Sequence, residues 1–161
     1  MAQGVTKSSS PRGFARLAFR LPIWLYRLRL GWLLGDRLLL LTHIGRKSGM
    51  PRQAVIEVVR HDPASDTYII ASGFGAQVDW FRNIQENPNV LVQIGARRLE
   101  AVAERLPLDV AADELRSYAQ RYPRTFRTIT KRLLGQELDG SAESCRQLAS
   151  TAPVVALRRR G

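Results

Sequence analysis

Apolar residues recur with a helical period from Phe14 to Trp32. At about 100° per residue, Phe14, Leu17, Leu21, Trp24, Leu25, Leu28 and Trp32 gather within roughly 100° of arc, while Arg12, Arg16, Arg20 and Arg27 share the opposite face. Pro22 has no N–H to give an unbroken helix, so the pattern predicts a kinked amphipathic helix or two shorter ones meeting there. After Gly35 the texture changes to that of strands. Arg37–Ile44, Gln53–Arg60 and Thr67–Ser72 are rich in β-branched and aromatic residues and predict a β-meander, with a turn from His61 to Asp66. Gly73-Phe74-Gly75 breaks the meander. Asp79 can then N-cap a short helix, Trp80–Glu86, which Asn87-Pro88 ends. Val90–Ile94 and Arg98–Glu104 flank a hairpin-like Gly95-Ala96-Arg97 connection. Helical texture resumes over Val110–Arg121, restarts after Pro123 as Thr125–Leu134, and gives way to a last strand at Val154–Leu157.

Five or six closely spaced antiparallel strands, with one short helix inserted and helices before and after, predict an α+β domain built on a small barrel-like sheet. A doubly wound fold would need strands alternating with crossover helices, and that alternation is absent. With 161 residues, 45% apolar and 24% charged, the chain is expected to form one globular domain over residues 11–161, behind a loose polar tail over residues 1–10.

Charge narrows the list of partners. Twenty-five Lys and Arg against 14 Asp and Glu leave a net +11, which suits nucleic acid, an anionic membrane or a polyanionic small molecule. Arg16, Arg20, Arg27, Arg29 and Arg37 interrupt the apolar N-terminal third, so no run approaches the ~20 residues of a spanning helix, and a signal peptide is disfavoured for the same reason. One cysteine, Cys145, excludes an internal disulfide. With only two histidines beside it, no typical zinc site is expected, and a reduced cytoplasmic setting is.

The densest chemistry lies from Thr42 to Arg52, between two strand-like runs, where Arg46, Lys47 and Arg52 supply charge, Ser48 a donor, and Gly45 and Gly49 backbone freedom. Glycines there can take the φ > 0 conformations that let successive amides converge, so phosphate is a natural guest. The segment is not a nucleotide-hydrolase loop, because it lacks the four-residue spacing before Gly-Lys-Ser/Thr and leads into a strand. Composition alone leaves open an exposed hairpin whose charges are merely solvated.

Four blocks in order, Thr42-His43-Ile44-Gly45-Arg46-Lys47-Ser48-Gly49-Met50-Pro51-Arg52, Ile70-Ala71-Ser72-Gly73-Phe74-Gly75, Asp79-Trp80-Phe81-Arg82-Asn83-Ile84 and Asn87-Pro88-Asn89-Val90-Leu91-Val92-Gln93-Ile94-Gly95, resemble the deazaflavin-dependent nitroreductase family. The likeness covers about residues 20–106. It implies a split β-barrel related to flavin-mononucleotide-binding proteins, and coenzyme F(420), an 8-hydroxy-5-deazaflavin with a phosphate and a glutamate tail, as cofactor. It also implies hydride transfer to a quinone, nitro compound or similar electron-poor acceptor. Carried onto this chain, the resemblance assigns the phosphate and acidic tail to Gly45, Arg46, Lys47, Ser48, Gly49 and Arg52. It runs Ala71, Ser72, Gly73, Phe74 and Gly75 along the ring, where small residues allow close approach. Some relatives carry lysine where this chain has Gly73. Rival readings are a flavin-mononucleotide-binding oxidoreductase of the same fold, a non-catalytic deazaflavin carrier, and a basic nucleic-acid or anionic-lipid binder, although the resemblance implies no nucleic acid.

Hydride transfer needs no Ser-His-Asp set or metal cluster, and none is visible. Trp80 reads as core and Asp79 as a cap. Asn83 either fixes a loop through side-chain-to-backbone bonds or touches the cofactor. The N-terminal helix reads as a lid on the barrel or as a peripheral element on an anionic membrane at its inner face. Trp24, Tyr26, Tyr118 and Tyr122 are candidates to stack on a flat acceptor. His61, beside Asp62, reads as solvated. No catalytic role falls to His43, at a strand end beside the cationic turn.

Overall fold

A computed structural model describes residues 35–161. The expected polar tail and the N-terminal amphipathic helix, with Trp24 and Tyr26, lie outside the described residues. Six strands, β1 (Leu38–Ile44), β2 (Pro51–Asp62), β3 (Thr67–Ala71), β4 (Asn89–Ile94), β5 (Arg97–Arg105) and β6 (Val154–Arg159), close into an antiparallel barrel in the order β1-β2-β3-β6-β5-β4. Helix α1 (Asp79–Glu86) is inserted between β3 and β4, and α2 (Leu108–Arg121), α3 (Pro123–Leu134) and α4 (Ala142–Thr151) lie between β5 and β6. Closure comes from a long-range pairing, Leu40 opposite Gln93 through Thr42 opposite Leu91. It leaves neither β1 nor β4 with a free ladder to template other strands.

Strand alternation divides the apolar residues between two cores. Leu39 and Leu41 of β1, Tyr68 and Ile70 of β3, and Val155 and Leu157 of β6 point into the barrel, where Phe81 and Ile84 of α1 join them. Their neighbours Ile69, Val154 and Ala156 point outward and are covered by Leu115 and Tyr118 of α2, Phe126 of α3 and Leu148 of α4. Both faces of β3 and β6 are therefore buried, which is why these strands read as continuous apolar runs. A bulge at Val59 shifts the register between Val58 and Arg60. It turns the Val59 side chain to the helix side, and Arg121 of α2 donates to the Val59 carbonyl at 2.8 Å.

The meander, the short inserted helix, the second hairpin and the last strand all form where the pattern predicts them; β1 and β3 are each one residue shorter than expected and the other elements slightly longer. Helix α4 has no counterpart in that pattern. Its buried residues are Ser144, Cys145, Leu148 and Ala149, small enough to give only a weak apolar stripe. Its local signal is the cap, because Ser141 accepts from the Ser144 N–H. Asp79 is a second correction. The N-cap position belongs to Val78, no side chain caps the helix, and Asp79 is its first residue. There its carboxylate takes Arg46 as partner instead.

Candidate functional site

The turn joining β1 to β2 is held by its own backbone. Gly45 N–H donates to the Met50 carbonyl at 2.8 Å, and Gly49 N–H to the Gly45 carbonyl at 2.8 Å. Met50 N–H reaches Ser48 Oγ at 3.2 Å, and Arg46 N–H reaches Asn83 Oδ1 at 3.0 Å. Gly49 sits at φ +67°, in the left-handed region, but Gly45 does not. Gly45 is needed for space instead, since a Cβ there would lie 2.6 Å from Ser48 Oγ. The expectation that both glycines take the left-handed region is thus corrected at Gly45. Four of the turn's amides, those of Gly45, Arg46, Gly49 and Met50, are spent on its own shape and its anchor, and its positive charge comes from side chains.

Those side chains divide into two classes. Arg46 is mostly buried, and its Nη1 donates to Asp79 Oδ1 at 3.0 Å and to Asn83 Oδ1 at 2.9 Å, which fixes the turn onto α1. Lys47 and Arg52 are exposed, and among the described residues neither has an acidic partner within ion-pair distance. They border a groove of about 540 Å³, which Arg46, Ser48, His43 and Asn83 also line. The six sequence-predicted residues Gly45, Arg46, Lys47, Ser48, Arg52 and Asn83 are thereby brought together, while Gly49 stands at the turn without lining the groove.

Beside this groove lies an apolar pocket of about 190 Å³, lined by Ala71 at the end of β3, Gly73 and Phe74 from the β3–α1 connection, Val59 of the bulge, Tyr118 of α2 and Arg132 of α3. Trp80 lines both spaces. Expected in the core, it is half-buried, packing against the barrel residues with part of its ring. Ser72 and Gly75 are not in the pocket wall. Ser72 is buried, with its hydroxyl donating to the Gly75 carbonyl at 2.5 Å and its N–H to the Pro153 carbonyl at 3.0 Å. Gly75 has φ +89°, so these two residues shape the bend that presents Gly73 and Phe74.

Tyr118 and Tyr122 separate likewise. Tyr118 is buried and borders the apolar pocket, and its hydroxyl donates to Glu57 Oε1 at 2.7 Å. Burial, then the bond to the Glu57 carboxylate, pushes its pKa up, so it stays a protonated donor. Tyr122 lies outside both spaces, with the Arg37 guanidinium 4.6 Å from its ring centroid. His61 is exposed but engaged, stacked on Tyr68 at 4.1 Å and 3.2 Å from Asp66 Oδ1 rather than paired with Asp62.

His43, to which the sequence assigns no role, is buried at the floor of the groove, with Nδ1 3.1 Å from Asn83 Nδ2. Burial lowers its pKa, with Asp79 opposing and Arg52 assisting. A histidine at the end of an apolar strand beside a cationic turn is a signal available in the chain. Its partner 40 residues away is not.

No curated protein sequence matches the chain. Among solved structures, an F(420)-H(2) dependent reductase, FDR-A, superposes with a TM-score of 0.54 at 20% identity, over 77% of this chain and 96% of that one. A chain described as a domain-swapped dimer gives 0.52 at 21% identity over 85% and 99%. General stress protein 26 from Bacillus anthracis gives 0.51 at 16% over 83% and 89%. At such identities the likeness speaks for the fold, which is the split barrel. The family model described as F(420)H(2)-dependent quinone reductase matches residues 20–134, and the chain belongs to that family of oxidoreductases.

Proposed function

We propose that this protein binds reduced coenzyme F(420) in the cationic groove and delivers a hydride to a quinone, or to a nitro compound of similar electron demand, seated in the apolar pocket. One observation carries the reading: a groove bordered by Lys47 and Arg52, which have no acidic partner among the described residues, meets an apolar pocket at a shared wall, Trp80. A cofactor with an acidic arm and a flat ring fits that division. Lys47, Arg52 and the Ser48 hydroxyl would hold phosphate and carboxylate oxygens. Arg46, committed to Asn83 and Asp79, sets the shape of the turn and adds a weaker field. Ala71, Gly73 and Phe74 would lie along the ring, with Trp80 at its edge.

When bound, the reduced deazaflavin supplies the hydride. The chain's share is to bring donor and acceptor to about 3–3.5 Å and keep water out. The apolar lining does the second. Arg132, with its guanidinium 5.6 Å from the Phe74 ring centroid, stands at the pocket wall where negative charge would develop on the acceptor. The Tyr118 hydroxyl spends its one proton on Glu57, so it shapes that wall and leaves Arg132 as the donor there.

The test is a titration of purified protein with coenzyme F(420), then turnover of the reduced form with menaquinone and with a nitroaromatic. Saturable binding weakened by Lys47→Ala or Arg52→Ala, followed by acceptor-dependent oxidation, supports the reading. Binding of flavin mononucleotide without binding of F(420) overturns the cofactor. Binding of F(420) with no acceptor oxidising it reduces the protein to a carrier.

A further inference from the structure

Asn83 controls which nitrogen of His43 carries a proton. Two donors of Arg46, the backbone N–H at 3.0 Å and Nη1–H at 2.9 Å, converge on one side-chain atom of Asn83, and only its carbonyl oxygen can accept both. The amide's other end, Nδ2, must then face His43, where it lies 3.1 Å from Nδ1. An NH2 group donates, so Nδ1 has to be the bare acceptor and the imidazole proton sits on Nε2. Protonating Nδ1 would set two donors against each other, and turning the Asn83 amide to relieve them would break both bonds from Arg46.

Nε2–H has no partner among the described residues. No fully buried side-chain nitrogen or oxygen among them lacks a partner. His43 lines the groove, and with Nδ1 turned to Asn83, Nε2 is the ring nitrogen left to serve it. Charges around the ring come from all the packed elements: Arg52 on β2, Asp79 on α1, and Arg46 and Lys47 on the turn. Asp79 is already engaged by Arg46, which leaves the cations Arg52 and Lys47 facing the same space.

We propose that His43 is a ligand-contacting specificity residue: as a neutral imidazole held in one tautomer by Asn83, it donates Nε2–H to a phosphoryl or carboxylate oxygen gripped by Lys47 and Arg52. This rests on the anion-binding reading of the groove and deepens it. A flexible cation accepts any nearby anion, whereas a buried N–H of fixed direction requires an acceptor lone pair at one place. The turn thus recognises shape as well as charge.

The experiment reads His43 by long-range 1H–15N spectra, in the free protein and then with inorganic phosphate and with coenzyme F(420). The expected result is a bare Nδ1 and a protonated Nε2 in the free protein, with the Nε2 resonance shifting on addition of either ligand. In Asn83→Asp, which keeps acceptors for Arg46 but presents one to His43, the proton is expected to move to Nδ1. His43→Phe should weaken ligand binding about tenfold, the loss of one neutral donor, with the fold intact by circular dichroism. A protonated Nδ1 in the wild type, or an unchanged tautomer in Asn83→Asp, overturns the proposal whatever binds. So does an Nε2 that neither ligand perturbs while Lys47→Ala abolishes binding, a result that leaves the cofactor reading standing. If phosphate shifts Nε2 and F(420) does not bind, the His43 proposal holds and the cofactor reading falls.

Discussion

Asn83 Oδ1 accepts both the backbone N–H and the Nη1–H of Arg46, at 3.0 and 2.9 Å. One buried amide on α1 thereby fixes the position of the β1–β2 turn and the direction of its first cation. Asp79 adds a 3.0 Å ion pair to the same guanidinium, but its side chain is 82% exposed.

Removing these two partners of Arg46 should therefore have unequal effects. Asn83→Ala strands a backbone donor and loosens a charge-assisted bond in a buried place, and is expected to cost about 2–4 kcal/mol of stability. Asp79→Ala, which removes only an exposed pair, should cost under about 1 kcal/mol. Denaturant melts of the two variants read the difference, and equal losses would show that the amide is not the anchor.

Gly45 and Ser48 should be energetically coupled. A methyl group at position 45 would come within 2.6 Å of Ser48 Oγ and displace it, and with it the bond to Met50 N–H. Gly45→Ala is expected to cost about 1–2 kcal/mol in the wild type. In a Ser48→Ala background, where the clashing oxygen is gone, the cost should be less. A double-mutant cycle by thermal melting checks this, with additivity as the contrary result.

Acid should weaken the fold through His43. Burial holds its folded pKa below the ordinary 6.5, so as pH falls through 6.5 the unfolded chain takes up the proton first and the unfolded state gains. Stability is full above 6.5, declines below it, and stops declining from this cause once pH is under the folded value. His43→Gln should flatten that part of the stability profile relative to wild type. Parallel profiles for the two proteins would show that His43 is not held neutral.

Lys47 and Arg52 should act as free charges. Lys47→Ala and Arg52→Ala are each expected to lose about 1–3 kcal/mol of coenzyme F(420) binding. Raising salt should shrink the wild type's advantage over both, because these cations are exposed and screened. Calorimetric titrations at two ionic strengths measure it, and a salt-independent gap would place the two side chains in a drier site than the groove.

Local chemistry made much of this legible in the chain. The apolar runs Leu38–Leu41 and Tyr68–Ile70, Gly95 at a hairpin and Pro88 after α1 are signals carried by neighbours in sequence, and the barrel strands follow them. The dense Gly45–Arg52 turn marked one candidate site, and the order of four motif blocks marked the family. Helix α4 escaped because Cys145 and Ala149 bury too little apolar area to give a strong period.

What sequence could not decide was which cations are spent and which are free. Arg46, Lys47 and Arg52 are three similar charges within one short turn, and only the docking of α1 against it consumes the first and spares the others. The same docking turns His43 from a strand-end residue into the floor of a groove, and Trp80 from a core residue into the wall between two spaces. Periodicity and turn chemistry act between residues a few positions apart, so they specify elements. Hydrogen-bond partners 37 and 40 residues apart exist only after the barrel has closed, and that closure decides the chemistry of the site.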